Sequence, residues 1–351
     1  MRVILCIVAA VAGIAAGTAR ADGLPVLGID VGSAGVTVAD SPRYVALPAG
    51  NETLVARIER GSGKVLASQV VRGQLTIPAV AYDGSASGLA RDGAKLVLIS
   101  PRVSFPRTTT PLAIVDTRTL RVVRRVTLHG DFSFDAVSPD GHWIYLIHYT
   151  SPTDPLRYEV RALDAAGTGR LAPKPIVDPR EPDEQMGGQP STRATSTDGR
   201  WAYTLYERPG NAPFVHALDT TGRTARCIDL DWLRDPRQLM GPRLVLDQGG
   251  QTLRVVSRGV TRAVIDTRTF TAGPPAAQTP TGLLSWLLVC VAAAALLATA
   301  AAVFLAAQRW PKWWARGSAV TTSGVSATRR ASAERLSSSR TRMFRFRSTR
   351  S

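Results

Sequence analysis

The feature that most restricts how this chain can fold is an internal repeat. Gly- and Asp-rich turns at Pro42, Arg91, Pro139, Thr197 and Asp247 are spaced 49, 48, 58 and 50 residues apart. The acids that end a strand-like segment in each unit, Glu59, Asp116, Asp164, Asp219 and Asp266, step by 57, 48, 55 and 47. A period near fifty is the length of one supersecondary unit, and such a unit needs neighbours to cover its apolar faces.

The clearest unit shows the content of the repeat. Asp131 to Val137 reads as a short strand and Ser138-Pro139-Asp140-Gly141 as a turn. Trp143 to Tyr149 and Arg157 to Asp164 read as the next strands, and Arg170 to Val177 follows a turn at Ala165 to Gly169 as the fourth. The turn chemistry is physical: Pro presets φ, Asp bonds its own backbone and Gly accepts positive φ. Equivalent strands are expected at Lys95 to Ile99, Leu112 to Asp116, Trp201 to Tyr206 and Phe214 to Asp219. Four antiparallel strands per unit and five units predict an all-β protein, a β-propeller of five four-stranded blades over residues 22–273, with six blades or an imperfect ring as the alternative. The fifth unit lacks an evident fourth strand, because Thr271 onward is rich in Gly, Pro and Ala. Leu24 to Val31 is expected to close the ring against it.

Ser138-Pro139-Asp140-Gly141-His142-Trp143-Ile144-Tyr145 resembles the repeat of bacterial TolB-like and WD40-like propellers. Ala217-Leu218-Asp219-Thr220-Thr221-Gly222 and Val264-Ile265-Asp266-Thr267 are similar to the turn of YVTN-type surface propellers. This resemblance spans roughly Asp22 to Gly273 and implies a fold more than a ligand, since it covers binding proteins, lyases and hydrolases.

The ends predict topology. Val3 to Gly17 is apolar after Arg2 and is followed by Ala19-Arg20-Ala21, the pattern of a secretory leader over residues 1–21. Leu283 to Ala307 is a run of 25 residues without a charge, long enough to span a bilayer as a helix. Trp310, Trp313 and Trp314, with Arg309, Lys312 and Arg316, follow it and place that end on the cytoplasmic side. The expected protein is single-pass in the cell membrane, with its N-terminal domain extracytoplasmic. Residues 274–282, with three prolines, form a semi-rigid spacer.

Net charge is +16, but residues 308–351 carry eleven basic groups and one acid. The basic balance therefore belongs to a tail too polar to fold alone, suited to anionic lipid near the membrane and without the features of a specific nucleic-acid site. Arg329-Arg330-Ala331-Ser332 resembles a basophilic kinase site, which makes Ser332 a candidate phosphorylation site whose charge would weaken lipid attraction.

Catalytic signals are few. Gly28 to Ser33 superficially matches a phosphate loop, but an actin-like ATPase needs two large α/β domains. His129, His142, His148 and His216 show no metal-ligand spacing, and neither a Gly-x-Ser-x-Gly nor a His-Glu-x-x-His motif is present. The acidic clusters Asp229, Asp231, Asp235 and Asp178, Glu181, Asp183, Glu184 have no spacing that demands a cation. No catalytic residue, cofactor or metal is assigned. Cys227 stands alone between the leader and the span, so no disulfide is expected there.

Alternating strands send the longer loops to one end of the stack, where binding usually resides. Arg102, Phe105, Arg107, Glu181, Asp183, Glu184 and Arg208 are therefore the candidate contacts. The expected function is binding of an envelope protein or glycan. A propeller lyase or hydrolase acting on an envelope polymer, and a receptor signalling through a phosphorylated tail, are the alternatives.

Overall fold

In each unit, a left-handed glycine reverses the chain between short apolar segments, and the segments pair. Gly93, Gly141, Gly199 and Gly250 have φ of 72°, 69°, 78° and 69°, values that a side chain resists. The structure, a computed structural model, describes residues 35–39, 41–183, 186–276 and 281–308. It divides into two units, Met1–Ala277 and Gln278–Ser351.

The first unit contains five antiparallel sheets in chain order. Sheet 1 comprises β1 (Arg43–Ala49), β2 (Glu52–Ile58) and β3 (Val65–Arg72); sheet 2 comprises β4 (Lys95–Ile99), β5 (Thr109–Asp116) and β6 (Val122–His129). Sheet 3 comprises β7 (Phe132–Val137), β8 (Trp143–Tyr149) and β9 (Tyr158–Asp164). Sheet 4 is β10 (Gln189–Thr195), β11 (Trp201–Glu207), β12 (Phe214–Asp219) and β13 (Thr224–Asp229). Sheet 5 is β14 (Pro242–Leu246), β15 (Thr252–Ser257), β16 (Val260–Asp266) and β17 (Thr271–Gly273).

Two sheets thus have the expected four strands, and three have three. The missing strands are reduced to isolated bridges: Val36 with Tyr44 in sheet 1, Thr76 with Ile99 and Leu89 with Leu96 in sheet 2, and Ile176 and Leu171 with β9 in sheet 3. The physical reason is clearest in sheet 3, where Pro173 and Pro175 remove ladder donors between the two bridges. The expectation for the fifth unit is corrected in the other direction. Thr271–Gly273 does pair with β16, and Pro274-Pro275 then ends the ladder. The segment Leu24 to Val31 lies outside the described residues.

Successive sheets pack face to face, which makes a propeller-type stack. Val55 and Ile77 meet Leu96 and Val115 between sheets 1 and 2. Ile114 and Leu112 meet Phe134 and Leu146 between sheets 2 and 3, Tyr145 and Val160 meet Leu218 between sheets 3 and 4, and Leu205 and Val215 meet Val255 and Ile265 between sheets 4 and 5. All six residues of β7 are buried.

A shared hydrogen-bond device ties each unit's turns. The residue four positions after Asp116, Asp219 or Asp266 donates its N–H back to that acid's carbonyl at 2.8, 2.9 and 2.8 Å. The residues in question, Leu120, Arg223 and Phe270, have φ of 56°, 56° and 58°, strain that the turn must offset. The acid's carboxylate accepts backbone N–H groups inside the same turn, from Thr119, from Thr221 and Gly222, and from Arg268 and Thr269. The next residue, Thr117, Thr220 or Thr267, donates its hydroxyl to the glycine carbonyl of the neighbouring turn. These bonds explain why the acids keep the repeat's period.

The second unit contributes α1 (Thr281–Gln308), in which Val289–Ala306 has a mean hydropathy of 2.5 and exposed side chains throughout. Its length and composition suffice to cross a membrane. The expected leader, residues 1–21, and the expected tail after Gln308 lie outside the described residues.

Thr220 is 1% exposed and its hydroxyl also reaches Arg200 O at 2.8 Å. Thr220→Val should therefore cost about 1–2 kcal/mol in denaturant melts by removing the buried hydroxyl's bonds to Gly199 O and Arg200 O, the latter keeping the Thr220 N–H, whereas Thr221→Val, at an exposed position, should change little.

Candidate functional site

Three of the loop candidates converge. The segment between β4 and β5 folds back on the start of β7, where Asp131 is 3% exposed. Arg102 donates to Asp131 Oδ1 from Nε at 3.0 Å and from Nη2 at 2.6 Å, and to Ser133 Oγ at 3.0 Å. Arg107 donates its backbone N–H to Asp131 Oδ2 at 3.1 Å and its Nη1 to Ser100 O at 2.8 Å, while Nη2 binds Phe132 O. The Arg102 guanidinium also lies 4.5 Å from the Tyr149 ring centroid and 5.9 Å from that of Phe105. Burial, together with the neighbouring Arg102 charge, pushes Arg107 down to about 10 despite Asp131.

Arg102 and Arg107 are thus a clasp that holds their loop to sheet 3. The residue the clasp presents is Val103, 94% exposed. It borders a cavity of about 230 Å³ shared with Ala46, Pro48, Leu75 and Pro101.

Beneath the clasp lies an aromatic layer of Tyr149, Tyr158, Tyr206 and Phe214. Burial raises the three phenols. Tyr149 meets Ser133 Oγ at 3.1 Å and Tyr158 donates to Gly188 O at 3.0 Å. His216, 1% exposed, packs edge-on to Tyr206, and burial pushes its imidazole down to about 4. It is a core residue.

The other candidates are dispersed. Glu181 and Asp183 are exposed, and Asp183 borders a cavity of about 320 Å³ with Tyr158, Glu159 and Met186. Arg208 donates to Ala212 O at 2.9 Å and to Asp229 at 3.1 Å, beside the Phe214 ring. Glu184 and Ser332 lie outside the described residues. Asp178 is buried; although burial opposes it, Arg180, the Cys227 N–H and Arg226 hold its carboxyl well below the usual range. Asp235 caps the 3-10 turn Pro236–Leu239, and Asp231 pairs with Arg234. Among the described residues, no three His, Cys, Asp or Glu side chains converge as metal ligands.

At the opposite end of the stack, where the short turns gather, a cavity of about 170 Å³ sits between the inner segments of sheets 1 to 4. Its lining includes Arg91, Arg193 and the hydroxyl residues Thr37, Ser87, Thr195 and Thr220. Arg193 crosses from β10 to β7, donating Nη1 to Asp135 O at 3.0 Å and pairing Nη2 with the Asp135 carboxylate. Sequence reasoning missed this site. Asp131 and Asp135 were the available signal, two acids in the otherwise apolar run Asp131 to Val137, where a buried charge needs a partner.

No family model matches the chain, and no curated protein is similar to it in sequence. Similar solved structures include hydrazine synthase from Kuenenia stuttgartiensis, at 21% identity over 64% of this chain and 68% of that one, with a TM-score of 0.40. TolB from Acinetobacter baumannii matches at 14% identity over 65% of this chain and 49% of its own, TM-score 0.37. The Cps50 (Swd1) β-propeller domain of Myceliophteria thermophila matches at 10% identity over 67% and 66%, TM-score 0.38. The chain spans about half of TolB. The fold class stands on the sheets themselves, and no activity transfers from these proteins.

Asp131→Ala should destabilise the protein by about 3–5 kcal/mol in urea, because two buried guanidiniums lose their carboxylate. His216 gives a separate test by pH. Its folded value is below the ordinary 6.5, so the unfolded chain takes up a proton that the folded one refuses. Stability present above pH 6.5 is then lost towards pH 4, at on the order of 1 kcal/mol per unit. His216→Phe should flatten that slope in melts at stepped pH.

Proposed function

We propose that this chain is a closed five-bladed propeller held outside the cell membrane by one span, and that it binds another envelope protein through its loop-rich end. The tether reading is supported by the exposed apolar stretch Val289–Ala306, the Trp and basic residues that follow α1 in sequence, and the leader-like N-terminus. Ring closure would fall to Leu24 to Val31, paired with sheet 5.

The observation that carries the binding reading is Val103. A branched apolar side chain 94% exposed to solvent gains nothing from water, yet its loop is fixed by Arg102 on one side and Arg107 on the other. Rigid presentation of an apolar anchor beside a groove lowers the ordering cost of association. It suits a protein partner that inserts an apolar side chain, and Glu181 and Asp183 add acidic charge elsewhere at the same end.

Val103→Cys tests both parts. In spheroplasts it should react with a membrane-impermeant maleimide, and a photoactivatable maleimide attached there should cross-link a discrete protein. Labelling only after lysis would overturn the orientation, and labelling without cross-linking would overturn the protein-binding reading.

A further inference from the structure

The cavity among the short turns has the chemistry of a site. Arg91, Arg193, Ser87 and Thr195 all line it, and it is fed by the inner segments of four sheets. The lining holds two guanidiniums and no carboxylate, so the local balance is positive, although Arg193 also pairs with Asp135. The Arg193 side chain is 6% exposed and, with Nη1 and Nη2 both held by Asp135, its Nε has no hydrogen-bond partner.

Arg91 is placed with equal care. Its Nε donates to Thr197 O in the turn of sheet 4, and no hydrogen bond from its two terminal nitrogens is found among the described residues. Room for the side chain comes from Gly199, where an added Cβ would stand 2.7 Å from Arg91 Cβ and 3.1 Å from Arg91 Cγ. Asp92 N–H, next in sequence, bonds Pro139 O at 3.0 Å. The guanidinium stem is therefore fixed by two neighbouring units while its fork is left unused.

The geometry points to a phosphate-binding cavity at the turn end of the stack. A fixed guanidinium fork matches the oxygens of phosphate bidentately, which an ammonium cannot do. Arg193 brings a second positive charge to the wall, with its terminal nitrogens held by Asp135, and the hydroxyls of Ser87 and Thr195 add two donors. A space of about 170 Å³ is ample for one phosphate group. The occupant is inorganic phosphate or the terminal phosphate of a larger solute whose remainder stays outside. This site is independent of the loop end, so cross-linking at position 103 and phosphate binding succeed or fail separately.

The test uses purified full-length protein in detergent, at constant ionic strength set with chloride. Inorganic phosphate should raise the melting temperature saturably and bind in calorimetry. Arg91→Gln should weaken binding at least tenfold, and Arg91→Lys should recover only part of it. Thr195→Val should weaken binding several-fold; it carries the test if Arg91→Gln lowers the phosphate-free melting temperature. Glycerol 3-phosphate identifies the source: stabilisation equal to that by phosphate means a pendant group enters, and stabilisation by phosphate alone means a free ion. Absence of a saturable shift at millimolar phosphate would overturn the site, as would equal shifts in wild type, Arg91→Gln and Thr195→Val, the signature of screening at surface arginines.

Discussion

Everything in the first unit depends on each sheet covering an apolar face of the next. A three-stranded sheet such as β4–β5–β6 has core residues on both sides, with Leu96 and Val115 turned to sheet 1 and Ile114 and Leu112 turned to sheet 3. Neither side can be left in water, at roughly 25 cal/mol per Å² of apolar surface. The repeat is therefore an energetic requirement before it is a sequence pattern. A unit removed from the middle would strand two apolar faces at once.

Polar contacts then set the register between sheets. Of 43 basic residues only four are lysines, and the arginines are used as long donors to backbone carbonyls of other units. Arg57 reaches Thr117 O, Arg124 reaches Gly167 O and Arg125 reaches Arg72 O. A guanidinium suits this work because it offers several donors in one plane. Buried pairs such as Arg193 with Asp135 are weaker evidence of stability, since desolvation offsets much of their attraction. Their effect is to specify which sheet faces which.

Local signals were legible to the residue. Lys95–Ile99, Trp143–Tyr149 and Phe214–Asp219 begin and end where turn residues and alternation place them, because Asp-Gly turns act within four residues. What could not be read depends on distant partners. Arg102 and Arg107 look like exposed loop cations until Asp131, more than twenty positions later, draws them inward. The cavity lining comes from Val36 to Thr220 and has no local signature at all. Reduced strands were visible in part: Pro173 and Pro175 warn of a broken ladder in sheet 3, and Pro78, Gly84 and Gly88 mark the irregular stretch before β4.

That irregular stretch has a kinetic consequence. Within it, Ala79 bridges Ala86 as a small hairpin, and Tyr82 and Asp83 donate their N–H groups to Pro190 O and Ser191 O at the head of β10. Chain emerging N-terminus first must hold Val80 and Ala81 without their final neighbours until roughly a hundred further residues have arrived. Sheets 1 and 2 can assemble early, but the seal between sheets 2 and 4 waits for late synthesis. During that interval the hairpin is the segment most open to capture by a holdase, and its docking is the step at which the early and late halves become one structure.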